Sequence, residues 1–216
     1  MTLRSKAFDI NNKFVVSLDG PAASGKGTIG RLLAAKLELA YFQSSKVYRN
    51  LALSCINNKI DPNDQEAVIK LSQDISIVQD KELGAENIGM IASQVAIIPE
   101  VRSNLGEYLV ELIRITPRII MEGRDIGTVI APSADLKIFI NADIKVRSER
   151  RYNELHKSGT RYTLSDILAQ LEIRDQRDRE RISSPLTIPE GALEIDTSLL
   201  APQEVLDKII EFISMR

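Results

Sequence analysis

Nine consecutive residues, Gly20-Pro21-Ala22-Ala23-Ser24-Gly25-Lys26-Gly27-Thr28, carry the most legible chemistry in this chain. Glycines let backbone N–H groups approach phosphate oxygens without a Cβ in the way, and a helix N-terminus beyond them adds partial positive charge. Lys26 stands where an ammonium can reach the β and γ phosphates of a nucleotide. An ordinary glycine turn would not need the context found here. Phe14-Val15-Val16-Ser17-Leu18 before the loop reads as a buried parallel strand, and Ile29, Leu32, Leu33 and Leu37 recur after it at helical spacing. The hydroxyl residue that commonly follows such a lysine as a magnesium ligand is Gly27 here, and Thr28 comes one residue, about 100° of helix, later. Mg2+ is therefore expected mainly on nucleotide oxygens and water, with no direct protein ligand.

A second set of anion-gripping residues lies far along the chain. Arg150-Arg151 is one pair, and the run from Arg174 to Arg181 places Arg174, Asp178 and Arg181 at i, i+4 and i+7, one helical stripe. Two guanidinium forks flanking a carboxylate suit a nucleotide: the forks take carbonyl or phosphate oxygens and the carboxylate accepts from a ribose hydroxyl. The other basic residues between Lys145 and Arg181 alternate with acids and read as a solvated face. Between the two sets, Arg118-Ile119-Ile120-Met121-Glu122 ends in Gly123-Arg124-Asp125, a strand delivering a cation and a carboxylate to a loop.

Those groups need a scaffold that brings them together. Five short apolar strands are expected at about 14–18, 39–43, 118–122, 136–140 and 192–196. Helices follow the phosphate loop, run at about 46–57 behind a Ser44-Ser45 cap, and dominate 64–114, where Pro99 marks a boundary. Further helices are expected at about 143–157, after a turn at Ser158-Gly159, and from Pro202 onward. The fold class is α/β, a five-stranded parallel sheet with helices on both faces and binding loops at the strand C-termini.

At 216 residues the chain suits one domain with excursions. The balance of 28 Lys+Arg against 30 Asp+Glu gives no global attraction to nucleic acid or anionic membrane, and five Tyr, five Phe and no Trp offer little stacking surface. The single cysteine, Cys55, excludes an intrachain disulfide or a cysteine metal cluster and reads as a core thiol. His156, the one histidine, sits in polar text and reads as surface. No apolar run is long enough to span a bilayer and residues 1–13 lack a signal-peptide apolar region, so a cytoplasmic, monomeric protein is expected.

Taken together the motifs resemble those of bacterial-type cytidylate kinases, within the P-loop nucleoside monophosphate kinases of adenylate-kinase-like architecture. The resemblance rests on Asp19-Gly20-Pro21 with Gly25-Lys26-Gly27-Thr28, Val47-Tyr48-Arg49, Ala92-Ser93-Gln94-Val95-Ala96, Glu122-Gly123-Arg124-Asp125-Ile126-Gly127-Thr128, and Arg174-Asp175 through Arg181. It implies one kinase domain over 1–216, with a core at about 14–60 and 116–216, a helical monophosphate-binding insert at about 61–115 and a short lid at about 150–163. It implies transfer of the γ-phosphoryl of ATP, with Mg2+, to CMP or dCMP, and small-molecule substrates rather than nucleic acid or membrane as partners. By the same resemblance Ser44, Arg102, Asp125 and Arg181 hold the base, Ser93, Arg174 and Asp178 the ribose, and Arg49 and Arg124 the acceptor phosphate. Arg150 and Arg151 close over the transferred group, and Lys26 and Arg124 join them in the chemistry.

The chain departs from the family pattern in three places. Gln43-Ser44-Ser45 replaces Asp-Ser-Gly or Asp-Thr-Gly, the text between about 78 and 92 is shorter and lacks an Ile-Arg, and residues 1–13 form a disordered or docked tail with no role assigned. Two rivals remain. One is a P-loop kinase for UMP, AMP or a metabolite such as shikimate. The other is a non-enzymatic nucleotide switch, favoured by Asn58-Lys59-Ile60-Asp61, which fits a guanine-reading pattern but follows an expected helix rather than a strand.

Overall fold

Runs of β-branched and apolar residues set the sheet of this protein, known from a computed structural model that describes residues 2–75, 77, 78, 83, 86–157 and 162–216. Strand β1 (Phe14–Asp19) is buried along its whole length because it has a parallel neighbour on each side, β3 (Arg118–Gly123) and β4 (Leu136–Asn141). β2 (Ala40–Gln43) pairs outside β3 and β5 (Leu193–Asp196) outside β4, giving the parallel order β2-β3-β1-β4-β5. The register sets Asp19 opposite Gly123 and Gln43 opposite Glu122, so the loops leaving β1, β2 and β3 start side by side.

Alternation along β1 sends Val16 and Leu18 to one face and Val15 to the other. On the first face lie α1 (Leu3–Phe8), α2 (Lys26–Leu37) and α9 (Pro202–Ser214), through Ala7, Leu33, Leu37, Ile209 and Ile213. On the second lie α3 (Ser45–Asn57), α4 (Gln65–Ser72), α5 (Glu86–Val95) and α6 (Pro99–Ile115), through Leu51, Val68, Val95, Leu105 and Leu109. Each Val, Leu or Ile among these, fully buried, contributes about 1.5–3 kcal/mol. Cys55 is fully buried in this second core, as its apolar setting suggested. α7 (Ile144–Lys157) and α8 (Leu164–Glu180) pack together beside the phosphate loop, with Leu155, Ile167 and Leu171 against Ala22.

All five expected strands are present within a residue or so of their expected bounds, and the stretch 64–114 carries α4, α5 and α6, with Pro99 in the first turn of α6. Residues 2–13 are docked: Arg118 donates to the carbonyls of Lys6, Ala7, Asp9 and Asn12 at 2.8–3.3 Å, and Lys6 pairs with Asp135 at 2.7 Å. One expectation needs correction. Ser44 makes no side-chain cap to α3, its backbone being already helical at φ −58° and ψ −28°. Arg181 is the C-cap of α8, its N–H bonded to the Arg177 carbonyl at 3.1 Å; its φ of −60° keeps its side chain on the stripe of Arg174 and Asp178, and its ψ of 139° turns the chain away only after it. The Ser158-Gly159 turn, residues 158–161 of the lid expected at about 150–163, and part of the shortened text (79–82, 84 and 85) lie outside the described residues. His156 is exposed and stacks on Tyr152 with ring centroids 5.5 Å apart. Among the described residues no helix is long and apolar enough to cross a membrane.

Candidate active site

The phosphate loop takes its shape from Gly20, whose φ of +144° and proximity to β4 exclude any side chain: a Cβ would lie 1.9 Å from the Ile140 carbonyl oxygen. Gly25, at φ +94°, turns the chain into α2. Lys26 is buried, and its Nζ donates to the Pro21 carbonyl at 2.5 Å and to Ser24 Oγ at 3.4 Å. Burial, and then the Arg124 charge, push the lysine down to about 7. Ala23, Ser24, Gly25, Lys26, Gly27 and Thr28 line a cleft, with Gly20, Pro21 and Ala22 outside its lining. Arg150 and Arg151 also face this cleft. Arg150 is tied to the end of β5, donating to Thr197 Oγ1 at 3.0 Å and to the Thr197 carbonyl at 2.6 Å. The Thr197 hydroxyl in turn lies 3.0 Å from the Ser24 carbonyl.

The glycine that replaces the usual hydroxyl residue faces Gln43 and Tyr41. A Cβ on Gly27 would lie 3.3 Å from Gln43 Nε2 and 3.6 Å from the Tyr41 hydroxyl. Both groups donate to Glu122 Oε2, Gln43 at 3.2 Å, so a carboxylate with two donors closes this end of the cleft.

A second pocket adjoins the first. Ser44, Arg49, Ser93, Arg102, Arg124, Asp125, Arg174, Asp178 and Arg181, the residues singled out for an acceptor, all line it. The ends of β2 and β3 supply Ser44, Arg124 and Asp125, while α3, α5, α6 and α8 supply the others except Arg181, which follows α8. Two carboxylates organise the cations. Asp125 pairs with Arg102 through Oδ2 and faces Arg181 Nη2 at 3.8 Å through Oδ1. Asp178 accepts from Arg124 Nε at 2.9 Å and from Arg181 Nη1 at 3.3 Å. Burial acts to raise the Asp178 carboxyl, but Arg124 and Arg181 hold it below its ordinary value. Burial, then Arg174 and Arg151, push Arg49 down to about 10. Three buried polar atoms on this pocket, Ser93 Oγ, Arg102 Nε and Arg181 Nη2, have no hydrogen-bond partner among the described residues.

Three groups have supporting roles that the sequence does not show, although Asp19 stands in one of its motifs. Asp19 is fully buried, and its carboxylate accepts from the backbone N–H groups of Ile126 at 2.9 Å and Gly127 at 2.8 Å. It anchors the Arg124-Asp125 loop to β1, and burial pushes it up to about 6. Its signal was a lone carboxylate closing an apolar strand just before Gly20. Arg147 joins the Ala22 carbonyl, at 3.2 Å, to Asp175 on α8, at 2.7 Å. Glu86, at the start of α5, pairs with Arg151 and with Arg174, the latter at 3.4 Å. Its place in the shortened text gave no spacing by which to find it. The guanine-reading rival loses its footing, since Asn58 caps α3, donating to the Ser54 carbonyl at 2.8 Å, and Lys59 sits at φ +57° in the turn beyond, in neither pocket.

Comparison with known proteins places the chain in a family. The family model described as Cytidylate kinase matches residues 16–215. A curated relative named Cytidylate kinase, from Rickettsia africae (strain ESF-5), is 55% identical over 211 residues, 98% of this chain and 96% of its own length. Another of that name, from Rickettsia canadensis (strain McKiel), is 55% identical over 215 residues, 100% of this chain and 99% of its own. Among solved structures, a gluconokinase from Sinorhizobium meliloti 1021 superposes with a TM-score of 0.51 at 12% identity, over 94% of this chain and 93% of that one, a likeness of fold alone. With a family match across nearly all of its length and relatives more than half identical to it, the chain belongs to the cytidylate kinase family.

Proposed function

We propose that this protein transfers the γ-phosphoryl group of ATP to the α-phosphate of CMP or dCMP, giving ADP and CDP or dCDP. The observation that carries the reading is a trio of buried atoms without a hydrogen bond, Ser93 Oγ, Arg102 Nε and Arg181 Nη2, on residues that line a pocket beside the Lys26 loop. Buried donors without partners cost about 1–3 kcal/mol each, a cost offset when a ligand rich in acceptors arrives. Cytosine O2 and N3 and the ribose hydroxyls are such acceptors.

In this reading Lys26 and the loop N–H groups hold the β and γ phosphates, while Arg49 and Arg124 hold the acceptor phosphate in line with them. Ser93, Arg174 and Asp178 take the ribose, and Ser44, Arg102, Asp125 and Arg181 take the base. Phosphoryl transfer through a loose transition state needs alignment and positive charge around the moving group more than a covalent nucleophile. Lys26, Arg124, Arg150 and Arg151 supply that charge, and burial of Lys26 keeps water from weakening it. The Thr28 hydroxyl and the Glu122 carboxylate, both on the loop cleft, fit the water shell of a Mg2+ ion that comes with ATP and neutralises its phosphate oxygens. Among the described residues no cluster of three or more His, Cys, Asp or Glu offers a metal site independent of the nucleotide.

A coupled assay with ATP, Mg2+ and a panel of acceptors tests the proposal. CMP and dCMP should be turned over with higher kcat/KM than UMP, AMP or shikimate. Preference for any of the last three overturns it.

A further inference from the structure

The two clefts meet at one carboxylate that neither the motifs nor the family match singles out. Glu86 opens α5, and its side chain is 4% exposed. Its Oε2 accepts both from Arg151 Nη2 and from Arg151 Nε, the latter at 3.0 Å, and its Oε1 accepts from Arg174 Nη1 at 3.4 Å. Arg151 lines the phosphate-loop cleft and Arg174 the acceptor pocket. Burial acts to raise the Glu86 carboxyl, but Arg151, Arg174 and Arg49 together hold it below its ordinary value, so it stays an anion among cations. One turn along the same face of α5, Gly89 makes room for Arg49: a Cβ there would come within 2.8 Å of Arg49 Nη2.

We propose that Glu86 is a positioning residue that fixes Arg151 and Arg174 in one geometry, so that a single carboxylate sets the donor-side and acceptor-side cations relative to each other. The proposal rests on the kinase reading above. Two guanidinium groups this close repel, and only an anion between them holds both without displacing either. The Nε–Nη2 edge of Arg151 is used by Glu86, and Nη1 donates to Glu154 at 2.8 Å. A guanidinium has five N–H donors, so Arg151 keeps two for phosphate oxygens while the carboxylates fix its plane. A neutral glutamine at position 86 would fill the same space, but only its one oxygen could accept, its amide N–H2 would face the other guanidinium, and the repulsion would remain, letting Arg151 drift from the reacting group.

The test is a double-mutant cycle read in kcat with ATP and CMP. Glu86→Gln should lower kcat by about ten- to a hundredfold, the scale of a catalytic group misplaced by about 1 Å. Combined with Arg151→Ala it should add well under its own single-variant loss, because the part carried through Arg151 is already gone and only the part carried through Arg174 remains. A purely structural role for Glu86 would instead make the two losses multiply. If Glu86→Gln does not fold, Glu86→Asp, which keeps the charge but moves it, carries the same cycle. Wild-type kcat in the single variant, or multiplying losses in the double, overturns the proposal in an otherwise active enzyme. Wild-type protein inert toward every monophosphate overturns the kinase reading itself, and this proposal with it.

Discussion

Arg102 and Asp125 form an ion pair whose side chains are only 5% and 8% exposed, at the end of the acceptor pocket where the Tyr48 ring lies 5.6 Å from the guanidinium. With Oδ2 committed to Arg102, the Oδ1 atom facing Arg181 at 3.8 Å keeps lone pairs for a ligand donor. An ionised carboxylate can only accept, so it would meet the 4-amino group of cytosine favourably and the O4 lone pairs of uracil unfavourably. The wild-type protein should favour CMP over UMP by at least about tenfold in kcat/KM, or about 1.4 kcal/mol. Asp125→Asn should narrow that gap, since a rotated amide can donate to O4. It should also cost about 3–5 kcal/mol of stability by leaving Arg102 unpaired, so the ratio is measured well below the variant's unfolding temperature. An unchanged ratio removes Asp125 from base reading, and a wild-type preference for UMP overturns the cytidylate assignment.

Asp178, proposed above for the ribose, also holds two arginines. Its two oxygens accept from Arg124 at 2.9 Å and Arg181 at 3.3 Å, so removing it would free the arginine proposed for the acceptor phosphate and the one proposed for the base. Asp178→Ala should therefore raise KM for CMP and dCMP alike. CMP should lose a further factor of about two to ten, the worth of one ordinary hydrogen bond to its 2′-hydroxyl. Equal losses on both substrates would leave Asp178 with the arginines alone.

What the sequence revealed depended on whether a group announces itself by local spacing. The strand, glycine loop and helix around Lys26 are contiguous, and the Arg174–Asp178 pair repeats at a helical interval, so both could be read directly. Glu86 and Arg151 are 65 positions apart and Asp19 and Ile126 are 107 apart, and only the packing of α5 and α7 on α8 and the register of β1 with β3 bring them together. The stripe of Arg174, Asp178 and Arg181 holds to the C-cap of α8. There Arg181 reaches Asp178 at 3.3 Å and also the Ser184 carbonyl at 2.6 Å in the chain beyond, a contact that helical spacing does not show. The docked tail was legible only as an alternative, because its anchor, Arg118, begins a strand more than a hundred residues away.

Gly30 offers a test in which two effects oppose each other. Alanine is favoured over glycine inside a helix by about 1 kcal/mol. Here, however, the added Cβ would lie 2.4 Å from Tyr41 Cε2 and 3.1 Å from Cδ2, and Tyr41 is held by its bond to Glu122. Overpacking of this kind costs about 1–3 kcal/mol, so Gly30→Ala should be net destabilised in urea by up to about 2 kcal/mol. It should also weaken ATP binding by shifting Glu122 at the cleft. A variant more stable than wild type would mean that Tyr41 swings aside without loss.

Lys26 ties the electrostatics of the loop to a measurable proton. Burial, and then Arg124, lower its affinity for a proton from an ordinary value of 10.5 to about 7. The sign follows directly. At pH 8 the lysine of the substrate-free protein is mostly neutral, and bringing the β and γ phosphates beside it favours the ammonium, so ATP binding should take up a proton. At pH 6 the lysine is already charged, and its contribution to uptake should vanish. Isothermal titration at pH 8, in buffers of differing ionisation enthalpy, should show a net uptake approaching one proton per ATP, where ATP itself is fully ionised and adds none. Lys26→Ala should abolish that uptake and lower kcat by at least about a hundredfold, the scale for losing one donor to the developing charge. The fold should survive, because the ammonium is a buried charge bonded to its own loop and not part of either apolar core. No uptake at pH 8 in the wild type would mean that Lys26 is charged before ATP arrives, and a folded Lys26→Ala protein with undiminished kcat would remove the lysine from the chemistry.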